Sequence, residues 1–461
     1  MRKVFRIILW GLLAAFLVFL ILGFSFYKRF VVLAPEHNFS TPIDQKEAQI
    51  QDLEYLSKFI DLDRSFDTDE KRNAFQLQIQ KSKKLLPVSS AEFEMEVSKA
   101  FAIADNGHTN VPSGSRARRH NSIPIRFHWF KEGLFTILAQ EEYEYLLGKR
   151  IEKIGGKKPM DILRLLDDYH GGLASDLKSQ SPLIFMSPEI MHAIGFGSSP
   201  DSILLEFEVK GKVDSTWVQA SESGKDIPGY WPGYWLNPFQ KIEGSSWKSL
   251  SNDSLLAIPL RNVRENIHHE WIGNLVYVQI NENSNTDEKP LKSYLKKLGQ
   301  EISAKNCKKA VLDLRFNTGG NNYHLPWPFI RFLKEKSDEG IQVYVITGKT
   351  TFSAGIITAA YAKYVLEDNA FFLGEPPGDR LRFWADGGAA FTLPNSKITS
   401  YIWTAYNDWE NGCRDFSKCF WIAVFDSFPA GNLELNIETP LSINDFLRGE
   451  DSSLNFILSH R

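Results

Sequence analysis

Ile341-Gln-Val-Tyr-Val-Ile-Thr347 runs directly into Gly348-Lys-Thr-Thr-Phe-Ser-Ala-Gly355, and that segment into an Ala- and Ile-rich stretch over residues 356–365. The first segment reads as a buried strand, the second as a turn and the third as a helix. A strand that ends in a tight turn and reopens as a helix lifts the side chain at the turn above the sheet. It also sets that side chain beside helical N–H groups that have no intrahelical acceptor. Ser353 holds this position, which is how a nucleophilic serine is presented.

The same alternation extends outward from this segment. Strands are expected at 275–280, 310–314, 343–347 and 370–373, and helices at 291–304, 326–334 and after Ser353. Strand–helix alternation implies parallel pairing with right-handed crossovers, and so an α/β class. Two other segments add chemistry. Val311-Leu-Asp-Leu-Arg-Phe-Asn-Thr-Gly-Gly320 leaves a strand through paired glycines, and Asp105-Asn-Gly-His-Thr109 places a histidine just beyond a helix.

Together the three segments resemble the peptidase superfamily that includes carboxyl-terminal-processing peptidases, the tricorn core protease and interphotoreceptor retinoid-binding protein. The resemblance runs from about residue 45 to the C-terminus. It implies a crotonase-like ββα catalytic core. It also implies a degenerate PDZ-like α+β module where Leu146-Leu-Gly-Lys-Arg-Ile-Glu-Lys-Ile-Gly-Gly156 leads into a helix over 159–169; a plain α+β insert supporting the core reads the same residues equally well. The expected division is a signal anchor over 1–30, a linker and helical subdomain carrying His108 over 31–122, the β-rich module over 123–262 and the catalytic core over 263–461.

A serine hydroxyl needs a neighbouring base. The resemblance implies a lysine within Glu375-Pro-Pro-Gly-Asp-Arg-Leu-Arg-Phe-Trp384, yet this stretch contains none. Arg380 and Arg382 stay protonated and cannot substitute. An imidazole titrates near neutrality, so His108 is the expected base. This resembles the tricorn arrangement, in which a histidine well before the serine serves and a glutamate assists through a serine preceding that histidine; here Gly107 stands in that place. Glu375 is the first expectation for the group orienting His108, and Asp105 the second. Ala354 N–H, with Gly319 or Gly320, is expected to bind the oxyanion. The aromatic, Pro/Gly-rich segment 226–239 offers Trp231 and Trp235 to an extended peptide, or else packs on its own domain.

Among 461 residues, 43% are hydrophobic and 24% charged, and the formal net charge of −3 gives no signal for nucleic acid. Residues 7–26 (IILWGLLAAFLVFLILGFSF) carry no charge over the length needed to cross a bilayer. Arg2, Lys3 and Arg6 precede them, which favours a cytoplasmic N-terminus and a catalytic part in the periplasm or outside the cell. Cys413 and Cys419 stand close enough to close a small loop in an oxidising compartment, or to remain free, while Cys307 has no evident partner. Adjacent His268 and His269 would point to opposite sides of an extended segment, so no metal is expected, and no cofactor. The expected activity is a membrane-anchored serine peptidase acting on polypeptides by a Ser–His mechanism. The alternative is an inactive protein that keeps the fold to bind a peptide or an apolar ligand.

Overall fold

The computed structural model describes residues 2–116, 118–221, 233–237, 246–251 and 255–460. Its largest sheet runs in the order Ile437–Glu438, Ala370–Gly374, Gln342–Thr347, Lys309–Asp313, Leu275–Ile280 and Ile267–Ile272. All neighbours are parallel except the last pair, a hairpin. These strands read LVYVQI, KAVLD, QVYVIT and AFFLG, close to continuously apolar, as a sheet covered on both faces requires.

Alternate residues serve the two faces. Val276, Val278, Leu312 and Val345 pack with the crossover helices Leu291–Ala304, Trp327–Asp338 and Ala354–Leu366. Leu275, Tyr277, Val311 and Tyr344 pack instead on the last helix, Ser452–Ser459. The expected strands and helices of this region all form, with ends shifted by a few residues. The hairpins Arg382–Ala385/Ala405–Asp408 and Ala390–Thr392/Thr399–Tyr401 are additions that periodicity did not announce.

In the N-terminal part, helices Gln45–Leu56, Asp69–Leu85 and Ser90–Ala102 surround Leu53, Phe75, Phe93 and Phe101. Ser89 and Glu92 close a reciprocal capping box that fixes the start of the third helix. This core also takes in Phe391, Leu393, Ile398 and Ile402, so the short hairpin completes it. Between these parts lie two three-stranded antiparallel sheets, one with Ile125–Phe130, Gly133–Gln140 and Trp247–Ser249, the other with Ile151–Ile154, Ser202–Val209 and Lys212–Gln219. The helix expected over 159–169 ends at Leu165 and continues as a tighter turn over Leu166–Tyr169.

A buried ion cluster fastens the segment that follows His108. Glu94 meets Arg116 Nε at 3.1 Å, Arg119 Nε at 2.7 Å and His120 Nε2 at 3.0 Å. Burial alone pushes the Glu94 carboxyl up, but hydrogen bonds from His120 and Arg119 and the charges of Arg116 and Arg119 bring it down to about 2. The folded pKa lies below the unfolded value near 4.5, so this stabilisation is complete above that pH and is lost as pH falls through about 2. Glu94→Gln is expected to cost on the order of 3 kcal/mol at neutral pH. Urea titrations of the two proteins should show that difference shrinking as the pH drops into the acid range.

The helix Arg2–Phe30 contains an apolar run, Val4–Phe30, with a mean hydropathy of 2.8 and none of its most apolar window buried. It is long and apolar enough to cross a membrane. Cys413 and Cys419 form a disulfide, and Cys307 is free and buried.

Candidate active site

Four loops leave the carboxyl ends of the parallel strands and meet above the sheet, where open α/β sheets present their sites. They carry Asn283 after Leu275–Ile280, Asn317 to Gly320 after Lys309–Asp313, Ser353 after Gln342–Thr347, and Asp379 after Ala370–Gly374. His108 arrives from the N-terminal helices.

Ser353 occupies the turn between strand and helix with φ 51° and ψ −124°, a conformation side chains rarely adopt. The turn is held from several sides. Thr351 Oγ1 donates to Leu314 O at 2.8 Å and accepts from Gly348 N at 2.9 Å, while Phe352 N donates to Asn317 O at 2.9 Å. Such over-determination is what maintains a strained residue. Ser353 makes no capping bond to its own helix, and among the described residues its hydroxyl has no hydrogen-bond partner.

The Asp105–Thr109 segment is shaped by Asn106. This buried side chain donates to Trp384 O at 2.9 Å and accepts from Trp384 N at 3.1 Å, mimicking a strand partner. His108 is thereby set against Phe383, stacked at 5.0 Å, with Phe352 at 4.6 Å and Trp403 edge-on at 5.5 Å. Trp403 Nε1 also donates to His108 O at 2.7 Å. The ring is almost wholly enclosed.

His108 Nε2 lies 3.0 Å from Asp379 Oδ2, and the same oxygen accepts from Ser353 N at 3.2 Å. Asp379 Oδ1 accepts from Arg380 N at 2.9 Å. One buried carboxylate therefore joins the histidine to the peptide unit of the serine. With Nε2–H donated to Asp379, the lone pair of the imidazole is on Nδ1, which has no partner among the described residues. A second carboxylate, Asp386, senses the ring: burial pushes it up, while the Asn407 amide and the field of His108 pull it down.

Neither orienting group expected from the sequence holds this place. Glu375 pairs with Lys349 Nζ at 2.5 Å. Asp105 pairs with Arg380 Nη2 at 2.7 Å on the surface. The local sequence signal for Asp379 is slight: a carboxylate following Pro376-Pro377-Gly378. Glu375→Gln should accordingly change turnover by no more than about threefold, the scale of a partly exposed ion pair. Steady-state assay on a peptide substrate checks this.

The glycine loop separates the two oxyanion candidates. Gly319 N–H is already committed to Asn317 Oδ1 at 3.0 Å, so it is not free to serve. Gly320 N–H and Ala354 N–H have no acceptor among the described residues. Gly319 serves through its missing side chain: a Cβ built there would lie 2.9 Å from Ser353 Cβ and 3.3 Å from both Ser353 Oγ and Ala354 N. The missing side chain leaves open space directly beside the Ser353 hydroxyl and the Ala354 N–H. Gly319→Ala is expected to abolish turnover and to cost about 1–3 kcal/mol through overpacking and the positive φ, read by assay and by thermal melting.

Beneath the loop, Asn317 Nδ2 donates to Asn283 Oδ1 at 2.9 Å, and Asn283 Nδ2 donates to Ala354 O at 2.8 Å and Thr358 Oγ1 at 2.6 Å. This buried chain of amides locks the loop onto the helix behind Ser353. Sequence reading gave no sign of it. Arg315 lies between Asp313 at 2.8 Å and Asp451 at 2.5 Å, which braces the same strand end.

A cleft of about 360 Å³ opens on the His108 side, walled by Val111, Leu177, Thr318 and Phe352. On the Asp379 side a groove of about 860 Å³ runs past Lys349, Glu375 and Arg380. Trp235 reaches neither. It is buried, with the Arg126 guanidinium 5.5 Å from its ring and 4.7 Å from that of Trp247, and it borders a separate cavity of about 100 Å³ together with Leu260, Phe316 and Thr350. Trp231 lies outside the described residues.

No family model matches the chain, and no curated protein does. Among solved structures it is similar to a lipoprotein from Streptococcus agalactiae, with 16% identity, 35% of this chain and 67% of the other covered, and a TM-score of 0.22. Nothing about fold or activity rests on so small a likeness.

Proposed function

We propose that the chain is a serine hydrolase that cleaves polypeptides, anchored in a membrane by its N-terminal helix and working on the periplasmic or outer side. The single observation that carries this is the shared Asp379 oxygen, which ties His108 Nε2 and Ser353 N to one point beside two free N–H groups. In this reading Ser353 Oγ attacks the peptide carbonyl and His108 Nδ1 takes its proton, later giving it to the leaving amine. Asp379 holds the ring in the tautomer that leaves Nδ1 basic and stabilises the imidazolium that forms. Ala354 N–H and Gly320 N–H receive the developing negative charge in the space that Gly319 leaves open.

The hydroxyl and the ring make no direct hydrogen bond here, a looseness expected of an unliganded site that tightens on substrate binding. The parallel sheet with helical crossovers supports a crotonase-like core, and the unit around Ile151–Ile154 and Pro159–Leu165 supports a PDZ-like reading of the middle module. A fluorophosphonate probe tests the activity. Covalent label on Ser353, found by peptide mass mapping and absent from Ser353→Ala, is the expected result. An unlabelled Ser353 in protein that binds peptide would instead identify an inert binding protein.

A further inference from the structure

We infer that the disulfide loop Cys413–Cys419 and the helix Trp421–Asp426 form a membrane-docking surface, seated in the lipid headgroup layer beside the N-terminal helix. This rests on Arg2–Phe30 crossing the bilayer and is independent of the hydrolytic reading. The charge-free run 7–26 is the length of a hydrocarbon core, so Phe26 stands at its edge and Lys28 and Arg29 at headgroup depth. Whatever touches these residues is held at the same depth.

The loop and short helix touch them closely. Phe26 lies 5.6 Å from Phe420 and 5.5 Å from Trp421, and Arg29 Nη1 donates to Phe416 O at 2.6 Å. The junction is fixed, because Phe30 O ends its helix by accepting from Gly388 N at 3.0 Å and Thr404 Oγ1 at 2.7 Å. Beside this anchored turn two rings point outward. Phe425 is 80% exposed and Phe416 50% exposed, 6.1 Å apart.

Large exposed aromatics next to a membrane helix are what an interfacial aromatic belt supplies. Exposed Arg414 and Lys418, with Lys28, add cations that complement lipid phosphates. The disulfide limits the freedom of the loop, so its rings are presented on a rigid platform. Thr404 follows Trp403, which packs on His108, so the same junction would set the height of the site above the membrane.

The test uses the full chain in vesicles of phosphatidylcholine and phosphatidylglycerol. An environment-sensitive fluorophore is placed at Phe425→Cys, where the ring removed carries little packing, and in parallel at Phe416→Cys and, as a control for the span, at Ala14→Cys. The buried Cys307 leaves the new thiol as the labelling target. The expected result is blue-shifted emission at both loop positions, quenching by lipids spin-labelled near the headgroup, and loss of most quenching by aqueous iodide. Ala14 should be quenched by lipids labelled near the chain terminus. If the loop labels remain open to iodide while Ala14 lies in the bilayer, the docking surface is overturned. Labels shielded from both iodide and lipid quenchers would mean that a second copy covers the patch, and would overturn it equally. An Ala14 label outside the bilayer removes the premise.

Discussion

Ser353→Ala is expected to eliminate hydrolysis and fluorophosphonate labelling while leaving the melting temperature almost unchanged. Alanine keeps the Cβ and therefore the strain at φ 51°, and the hydroxyl it removes has no partner among the described residues. Ser353→Gly should be equally inactive but more stable by about 1 kcal/mol, because glycine occupies this conformation without steric cost. The pair of variants separates chemistry from folding. Strain that costs stability and is released when activity is sacrificed is characteristic of a turn held for function. Retained turnover in Ser353→Ala would dismiss the nucleophile. A glycine variant less stable than wild type would show that the turn is not strained.

Asp379→Asn is expected to keep the shape of the site while lowering kcat by roughly 10⁴-fold, the loss that follows when the carboxylate partner of a catalytic histidine becomes an amide. An amide can still accept from Ser353 N through its oxygen, but it cannot hold both His108 Nε2–H and that donor with the same charge. The ring then loses its tautomer preference and the stabilisation of its protonated form. His108→Ala should approach the loss seen for Ser353→Ala, and the His108→Ala/Asp379→Asn double variant should be scarcely worse than His108→Ala, because the three act as one unit. Glu375→Gln is the contrasting control, since its partner is Lys349. Full additivity of the His108 and Asp379 changes would mean that the carboxylate does not work through the ring.

Both predictions turn on partners that local reading located only in part. The strand–turn–helix around Ser353 was legible because each piece carries its own signal: alternating β-branched residues, a glycine-led turn and an Ala-rich helix. The placement of His108 near the serine was legible only through resemblance, since no periodicity links positions so far apart. Asp379 was not legible as the partner. Glu375, Asp379 and Asp105 are equivalent as carboxylates in a string of letters, and the choice among them depends on where the Pro376-Pro377-Gly378 turn aims the chain. Gly319 was marked for its N–H, whereas in the fold it is the space left by its missing Cβ that borders Ser353. The hydrogen bond to Asn317 that removes the N–H from use is a contact within a folded loop. For Trp235 the sequence left peptide contact and packing on its own domain both open; the fold buries it beside Arg126 from a distant strand and at the wall of a cavity, neither of which its aromatic neighbours could announce.

By itself the sequence determined what short-range patterning can encode: the alternating strands and helices of the sheet, the turn that raises Ser353, the paired glycines and the apolar helix at the N-terminus. Tertiary structure alone decided which carboxylate meets His108, which N–H groups are left unspent among the described residues and which aromatic rings face solvent beside the apolar N-terminal helix. Periodicity and propensity act over a few residues, whereas the His108–Asp379 contact joins groups 271 positions apart. Its distance and direction exist only once the sheet has brought its loop ends together.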